Sequence, residues 1–547
     1  MKKILIFILG LLPVFAQAQL VEEVYVSTDR SVYVAGDEIW CSLFCVNGKT
    51  GKLSPFSAVS YLELVSTDGT VTTAKVSLMD GRGAGKFRIP TSAPTGNYRL
   101  IAYTAQNQAG YLAGSKVLSV FNTTSLARVD GGVKFLSESE YKALPKEEKS
   151  ADRQVSVSLS GTPRAGQPFI LNLQNTAGKA VDMSVSVYAL DEIVQPTHLT
   201  LAEFLAQPCP GQASSSRLPE YEGEIIYAAV EGLASRQLDS LSNLAMATLS
   251  SAGSPSDVYV GRVNDKGRLV FFTNNIFGDR ELVCEVNSDC GYISLADSFI
   301  RPEVADVEPL ALSSLQRGAL VQRKAGITSS LQVDTLVQFL TRRHDVLLES
   351  DKRIHYHLDD YTRFPSLREV IVEIIPELRI GQSHGRREMK MVIPDPVNSK
   401  KILMDNILVM LDGVVINDLS LLEGMDAMLL EDVDLYRQSI LAGGLSFNGV
   451  VNFITRKNYV KALQFPENVR VIDFKGVSYP VAYYGAPVSG ADYRQLLYWH
   501  PIMQMDARES RQLTLSAPAY AGKFRLVAEG MASDGSAFRE VFDFEIN

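Results

Sequence analysis

The chain has 547 residues, with Lys+Arg 53 against Asp+Glu 62 and a formal net charge of −9. Its 46% hydrophobic and 21% charged residues are a globular composition, long enough for roughly three to five domains, and exclude collagen, low-complexity chains and polytopic membrane proteins. The acidic balance lacks the basic footprint of nucleic-acid binding, so no nucleic-acid partner is expected.

Lys2 and Lys3 precede an apolar run from Ile4 to Phe15, and Ala16-Gln17-Ala18 closes it with a small-x-small site. Together they predict a secretory signal peptide over 1–18, cleaved after Ala18. The run is shorter than the ~20 residues of a spanning helix. No later stretch is long and apolar enough to span, and no cysteine follows the site to carry a lipid anchor. The short basic leader fits bacterial export, to the periplasm, the outer membrane or the cell surface.

From Val21 to about Phe121 the pattern is β. Val59-Ser60-Tyr61-Leu62-Glu63-Leu64-Val65 alternates, then Asp68-Gly69 and Asp80-Gly81 supply turns that want positive φ. Residues 122–153 read as a linker with the charge run Lys146-Glu147-Glu148-Lys149. A second β block opens at Gln154, with clean alternation in Val155–Leu159 and Met183–Tyr188. Gln207 to Pro219 is a loop rich in Pro, Gly and Ser. A third β block covers about 220–301. After Pro302 the period lengthens: Leu331–Leu347 is predicted helical, with Val333, Leu336, Phe339 and Leu340 on one stripe. Ser366-x-x-Glu369 is a capping box, followed by Leu367, Val370, Ile371 and Ile374 at helical spacing. A mixed segment continues to about Lys457, and the tail from Val469 returns to β.

Two short repeats link the blocks. Pro94-Thr95-Gly96-Asn97-Tyr98-Arg99-Leu100 resembles Pro518 through Phe524-Arg525-Leu526, and Ala35-Gly36-Asp37-Glu38-Ile39 echoes Ala165-Gly166-Gln167-Pro168-Phe169. The predicted fold is mainly β: tandem Ig-like β-sandwiches with one inserted α+β domain. The expected boundaries are a sandwich over 19–125, a linker over 126–153, sandwiches over 154–206 and 220–301, and a helical connector over 302–364. An α+β domain over 365–457 and a C-terminal sandwich over 458–547 complete the chain.

Five cysteines follow the leader. Cys41 and Cys45 on one strand would lie ~13 Å apart at ~3.3 Å per residue, too far to bridge. Cys284 and Cys290 flank a turn and are the candidate disulfide; the alternative is that all five are small buried hydrophobes. Cys209 has no evident partner. His355-x-His357 on a strand would put two imidazoles on one face, with Asp359 beside them, which is a usable metal-ligand set. The bland reading is a polar strand edge before Pro365, and no metal or cofactor is expected. No P-loop, HExxH or Gly-x-Ser-x-Gly elbow appears. Arg342-Arg343, Arg386-Arg387 and Lys400-Lys401 read as solvated faces.

Thr28-Asp29-Arg30-Ser31-Val32-Tyr33-Val34-Ala35-Gly36-Asp37-Glu38-Ile39-Trp40 resembles the opening of a macroglobulin-type domain, and Pro94–Tyr103 resembles that module's closing strands. The Gly-Cys-Gly-Glu-Gln thioester of protease-trapping macroglobulins is absent, so covalent trapping is not expected. Val409-Met410-Leu411-Asp412-Gly413-Val414-Val415-Ile416, Leu429–Tyr436 and Asn448-Gly449-Val450-Val451-Asn452-Phe453-Ile454-Thr455-Arg456-Lys457 resemble strands of a TonB-dependent receptor plug. The 90 residues after Lys457 leave no room for the barrel of some 22 strands that follows a receptor plug. The resemblance implies a non-enzymatic exported protein that docks to an outer-membrane barrel or its accessory proteins. Asp412, Gly413, Ala442, Gly443 and Gly444 are the expected contact loops. The rivals are an adhesin or ligand-binding protein using sandwich loops, and a protease inhibitor or hydrolase.

Overall fold

The computed structural model describes residues 21–547 apart from 146–153, 209–216, 233–245, 254–256, 288–290, 303–305, 341–352, 384–385, 395–400, 443–444, 458–459 and 461–462. The expected cleavage site at Ala18 therefore lies outside the described residues, as do Cys209, Cys290, Gly443 and Gly444.

The first domain runs from Glu22–Thr28 to Lys116–Phe121, and its strands link through the long bent strand Gly69–Met79. The two Asp-Gly turns form where the sequence places them. Gly69 has φ 109, and Asp80 and Gly81 have φ 51 and 79, left-handed conformations that suit Gly and tolerate Asp. Alternate residues of each strand, such as Cys41, Leu43 and Cys45 of Glu38–Asn47, fill the core. Burial raises both thiols, Cys41 to about 12, so they behave as hydrophobes.

The macroglobulin-like opening segment folds into a buried ion network. The Arg30 guanidinium bridges Asp29 at 2.7 Å and Asp37 at 2.8 Å, and Tyr33 Oη donates to Asp29 at 2.7 Å. Asp29 also accepts from the Trp40 backbone, which fixes the start of the next strand.

The blocks expected as separate sandwiches over 154–206 and 458–547 form one. Pro168–Asn175 pairs with both Val155–Ser160 and Ser510–Ser516. Val181–Leu190 lies between Leu496–Met505 and Gly522–Ala532. The three strands before Leu190 cannot enclose a core alone; the four C-terminal strands supply the missing area. Both sequence repeats keep their roles: Gly36 and Gly166 turn with φ 99 and 70, and Tyr98, Leu100, Phe524 and Leu526 all point inward.

The third sandwich borrows in the same way. Arg280–Val286 pairs with Met246–Ser251 and with Val469–Phe474, from beyond the α+β domain. The order of insertion is therefore nested: the α+β domain interrupts the third sandwich, which interrupts the second.

The expected helix at Leu331–Leu347 is displaced. The helix occupies Arg317–Val333, and the chain turns extended at Gln338–Phe339. Its buried face is Ala319, Arg323, Gly326, Ser329 and Val333, a helical stripe with little apolar content. Gly326 is needed there, because a Cβ would sit 2.4 Å from the Tyr493 carbonyl. Arg323 pairs with Asp191 at 2.6 Å and donates to Val32 O at 2.9 Å, joining the first domain to the second.

Trp40 and Trp499 meet in one buried cluster with Tyr188, Val333 and Tyr483, at the same junction. Arg82 reinforces it, donating to Leu43 O at 2.6 Å and Pro501 O at 3.0 Å. Val477–Ser478 adds parallel pairing to Lys75–Val76 of the first domain.

Candidate functional site

The α+β domain begins earlier than residue 365. Arg353–His357, expected in a helical connector, is the edge strand of a five-stranded sheet with Leu430–Tyr436, Val450–Thr455, Leu408–Leu411 and Val414–Val415. Leu408–Leu411 runs parallel to Val450–Thr455. The helix Leu367–Glu373 packs on this sheet with Leu367, Val370 and Ile371 buried, and its Ser366/Glu369 capping box is formed. A second sheet, Leu378–Ser383, Arg386–Pro394 and Lys401–Met404, stands beside it.

Asp412 and Gly413 are not an exposed contact loop. They form the tight turn between Leu408–Leu411 and Val414–Val415, with φ 48 and 86. Asp412 is 6% exposed. Its carboxylate accepts from Thr455 N at 2.7 Å, Thr455 Oγ1 at 2.7 Å and Val460 N at 3.2 Å. Its carbonyl accepts from Gly253 N, and Ser250 Oγ accepts from Val415 N, so the hairpin lies against the third sandwich. The turn serves internal packing because a short anionic side chain at a left-handed position can satisfy donors of the neighbouring strand end. Ala442 ends the strand Ile440–Ala442, while Gly443 and Gly444 lie outside the described residues.

The histidine pair is organised differently from the expected set. His355 Nδ1 lies 2.7 Å from Asp434 Oδ1, and His357 Nδ1 lies 2.7 Å from Asp432 Oδ1. Asp359 turns away in the 3-10 helix Leu358–Asp360 and pairs with Arg456 and Arg363. The carboxylates that matter are on the paired strand: the register sets His355 opposite Asp434 and His357 opposite Asp432. The alternation Asp432-Val433-Asp434 was the available signal, and it becomes informative once the pairing is known. The hydrogen bond to Asp432 holds the His357 proton above its ordinary range.

Among the described residues Lys401–Met404 pairs on one side only, and this edge of the second sheet carries apolar residues. On Lys401–Met404, Ile402 is 38% and Leu403 52% exposed, and adjacent strand residues face opposite sides. The hairpin Ile440–Ala442 with Leu445–Phe447 lies beside it, held by Asn406 Nδ2 to Ser446 O at 2.6 Å and Asn448 Nδ2 to Asp405 O at 3.0 Å. Leu441 on that hairpin is 77% exposed. An edge strand with uncovered apolar side chains is a template for a further strand. Of the basic pairs, Arg387 is bound to Glu423, and Lys401 is exposed on this edge.

Buried ionisable groups concentrate at the seam between the first and third sandwiches. Lys75 pairs with Glu224 at 2.7 Å. Glu63 accepts from Tyr103 Oη, Ile300 N and Arg301 N. Glu220 accepts from Tyr61 Oη at 2.7 Å and Ile225 N at 3.0 Å. Burial pushes the Glu220 carboxyl up from 4.5 to about 7, despite those two bonds, and does the same to Glu285 beside Asn417. Each binds its proton more tightly folded than unfolded. Their stabilisation is therefore complete below about pH 4.5 and is lost as pH rises to about 7, on the order of 3 kcal/mol apiece. Glu220→Gln keeps an acceptor without the titration. Between pH 5 and pH 8 its melting temperature is expected to fall by less than that of the natural chain, the difference being the Glu220 contribution. An unchanged loss would remove Glu220 from the account.

Cys284, one half of the expected disulfide, is buried in the core of the third sandwich and has no disulfide partner among the described residues; burial raises its thiol to about 12. Among the described residues no helix is long and apolar enough to cross a membrane, and no three His, Cys, Asp or Glu side chains converge on a metal position.

Residues 23–118 match the MG2 domain family, so the first domain is of macroglobulin type. No curated protein matches the chain. Similar solved structures include a mutant Salmonella alpha-2-macroglobulin, 10% identical with a TM-score of 0.24, covering 97% of this chain and 40% of that one. Trypsin-activated alpha-2-macroglobulin from Escherichia coli is 9% identical with a TM-score of 0.24, covering 96% and 41%. A tetra-tandem repeat from a large adhesion protein is 9% identical with a TM-score of 0.13, covering 96% and 99%. The chain thus spans about 40% of the length of the macroglobulins it matches.

Proposed function

We propose that the chain is an exported, non-enzymatic interaction protein. Its macroglobulin-type sandwiches form a braced scaffold, and its plug-like α+β domain is the binding module, docking to an outer-membrane barrel or its accessory proteins. The observation that carries this reading is the exposed apolar edge at Ile402, Leu403 and Leu441. The partner contributes an extended strand to Lys401–Met404, with main-chain hydrogen bonds for affinity and apolar side chains for specificity. The scaffold supports the same reading: Lys75, Arg82 and Arg323 each pair with a carboxylate of another domain, Glu224, Asp182 and Asp191.

The sequence resemblance to receptor plugs names the partner class. The contact residues are reassigned from Asp412 and Gly413 to this edge. The alternative, ligand binding by sandwich loops, is favoured by one feature, a cleft of about 720 Å³ lined by Lys52, Asp182, Asp506, Glu509, Arg511 and Met531.

The double variant Leu403→Asp/Leu441→Asp tests the reading. It places charge on exposed positions, so the melting temperature is expected to stay within a few degrees. Recovery of the partner by crosslinking from the outer-membrane fraction is expected to fall at least tenfold. Undiminished recovery would move the interface to the sandwiches.

A further inference from the structure

We propose that the strand seated on Lys401–Met404 is acidic, an extended segment that sets an apolar residue against Leu403 and a carboxylate against Lys401. This rests on the reading that the edge accepts a strand, and adds the register and the charge of the partner. The register follows from where the main chain points. Val392 N donates to Glu377 O at 2.6 Å, so the main chain of Val392 faces the Leu378–Ser383 side. In an antiparallel strand the N–H and C=O of one residue point to one side and those of the next residue to the other. Met391 and Ile393 therefore turn their main chain to Met404 and Ile402, which stand opposite them. Lys401 and Leu403 turn theirs to the open side, where no strand pairs among the described residues. Asp405 points the same way, and its carbonyl accepts from Asn448 Nδ2 at 3.0 Å, which closes the edge at that end.

The charge follows from which side chains share a face. Leu378, Met389 and Met391 are buried in the domain core, so theirs is the inner face of the sheet. By register, Arg379, Glu388, Lys390, Val392, Lys401 and Leu403 share the outer face. Its described charges are the cations Arg379, Lys390 and Lys401 against Glu388 alone. Lys401 is exposed and stands on the edge itself, two residues from the exposed Leu403. A strand added there meets both with residues that are also two apart. Opposite charges facing each other across paired strands attract, and like charges repel. The matching segment is therefore apolar-x-acidic, and its middle residue lies against Ile402 on the inner face, where an apolar side chain fits.

The test measures the fluorescence anisotropy of labelled Thr-Thr-Val-Ile-Glu-Thr-Thr titrated with the full chain, against the same peptide with lysine in place of glutamate. At low salt the acidic peptide is expected to bind about threefold to tenfold tighter, and the gap should narrow at about 0.5 M salt. Lys401→Glu changes an exposed position, so it should reverse the preference with an unchanged melting temperature. Leu403→Asp should weaken the binding of both peptides. Equal affinity for the two peptides, or a preference that survives Lys401→Glu, would overturn the acidic assignment and leave the open edge standing. Binding of neither peptide would overturn both. A natural chain that sediments as a dimer, and as a monomer with Leu403→Asp, would assign the edge to a second copy and overturn the proposal.

Discussion

Arg30→Ala is expected to cost about 3–5 kcal/mol and to be among the most damaging single substitutions in the chain. Removing the guanidinium leaves Asp29 and Asp37, both buried, without the cation that bridges them at 2.7 and 2.8 Å. Breaking a buried pair costs more than the pair contributes, because an uncompensated charge stays behind. The damage extends beyond the ion pairs. Asp29 also holds the Trp40 backbone at 3.0 Å, and Trp40 belongs to the cluster joining the first domain to Trp499 of the second. Thermal unfolding should therefore show the first domain separating from the rest, with new hydrogen exchange in Glu38–Asn47 and Leu496–Met505. Arg30→Lys, a point charge without the planar fork, should recover part of the loss. A melting temperature within two or three degrees of the natural chain for Arg30→Ala would show that the network is idle.

Asp412→Ala is the second large effect, about 3 kcal/mol. Three donors, Thr455 N, Thr455 Oγ1 and Val460 N, lose their acceptor in a buried place, and each orphaned group costs about 1–3 kcal/mol before relaxation. Alanine is also poorly suited to φ 48. Asp412→Asn tolerates that conformation and keeps one acceptor oxygen, so it should lose about half as much. Both variants should speed exchange at Val450–Thr455 and lower the melting temperature. At a temperature where the variants remain folded, neither should change partner recovery. Loss of partner with intact stability would restore Asp412 as a contact residue.

The legible parts of the sequence were those set by local chemistry. Asp68-Gly69, Asp80-Gly81 and Asp412-Gly413 all make the turns their φ preferences demand, and Ser366 with Glu369 caps its helix. The helix Arg317–Val333 was not legible because its buried stripe packs against main chain and a carboxylate, so Gly326, Ser329 and Arg323 stand where apolar residues were sought. The apolar run after Leu331 instead divides between the helix end, one 3-10 turn and a short strand.

The nested sandwiches were hidden for another reason. Alternation reports that Val181–Leu190 is a strand; it carries no record that its neighbours are Leu496–Met505 and Gly522–Ala532, some three hundred residues away. The repeats at Pro94 and Pro518 did indicate kindred sandwiches, without showing that the later one completes an earlier. At the candidate site the histidines were visible, while Asp432 and Asp434 needed the strand register. The expected contact loop failed at Asp412 because an Asp-Gly turn looks alike in sequence whether it meets solvent or, as here, Thr455 and the third sandwich.

On the proposed reading, partners are met through the free edge of the α+β domain. Site-specific photo-crosslinking in the producing bacterium distinguishes this edge from the sandwiches, with the photoreactive residue placed at position 403 or 441, and at the exposed Leu126, in the segment that follows the first domain, as reference. Crosslinks from 403 and 441 to one outer-membrane species, with none from 126, are the predicted result. Crosslinks from 126 alone, or the same free monomer from all three positions, would show that the edge is not where partners bind.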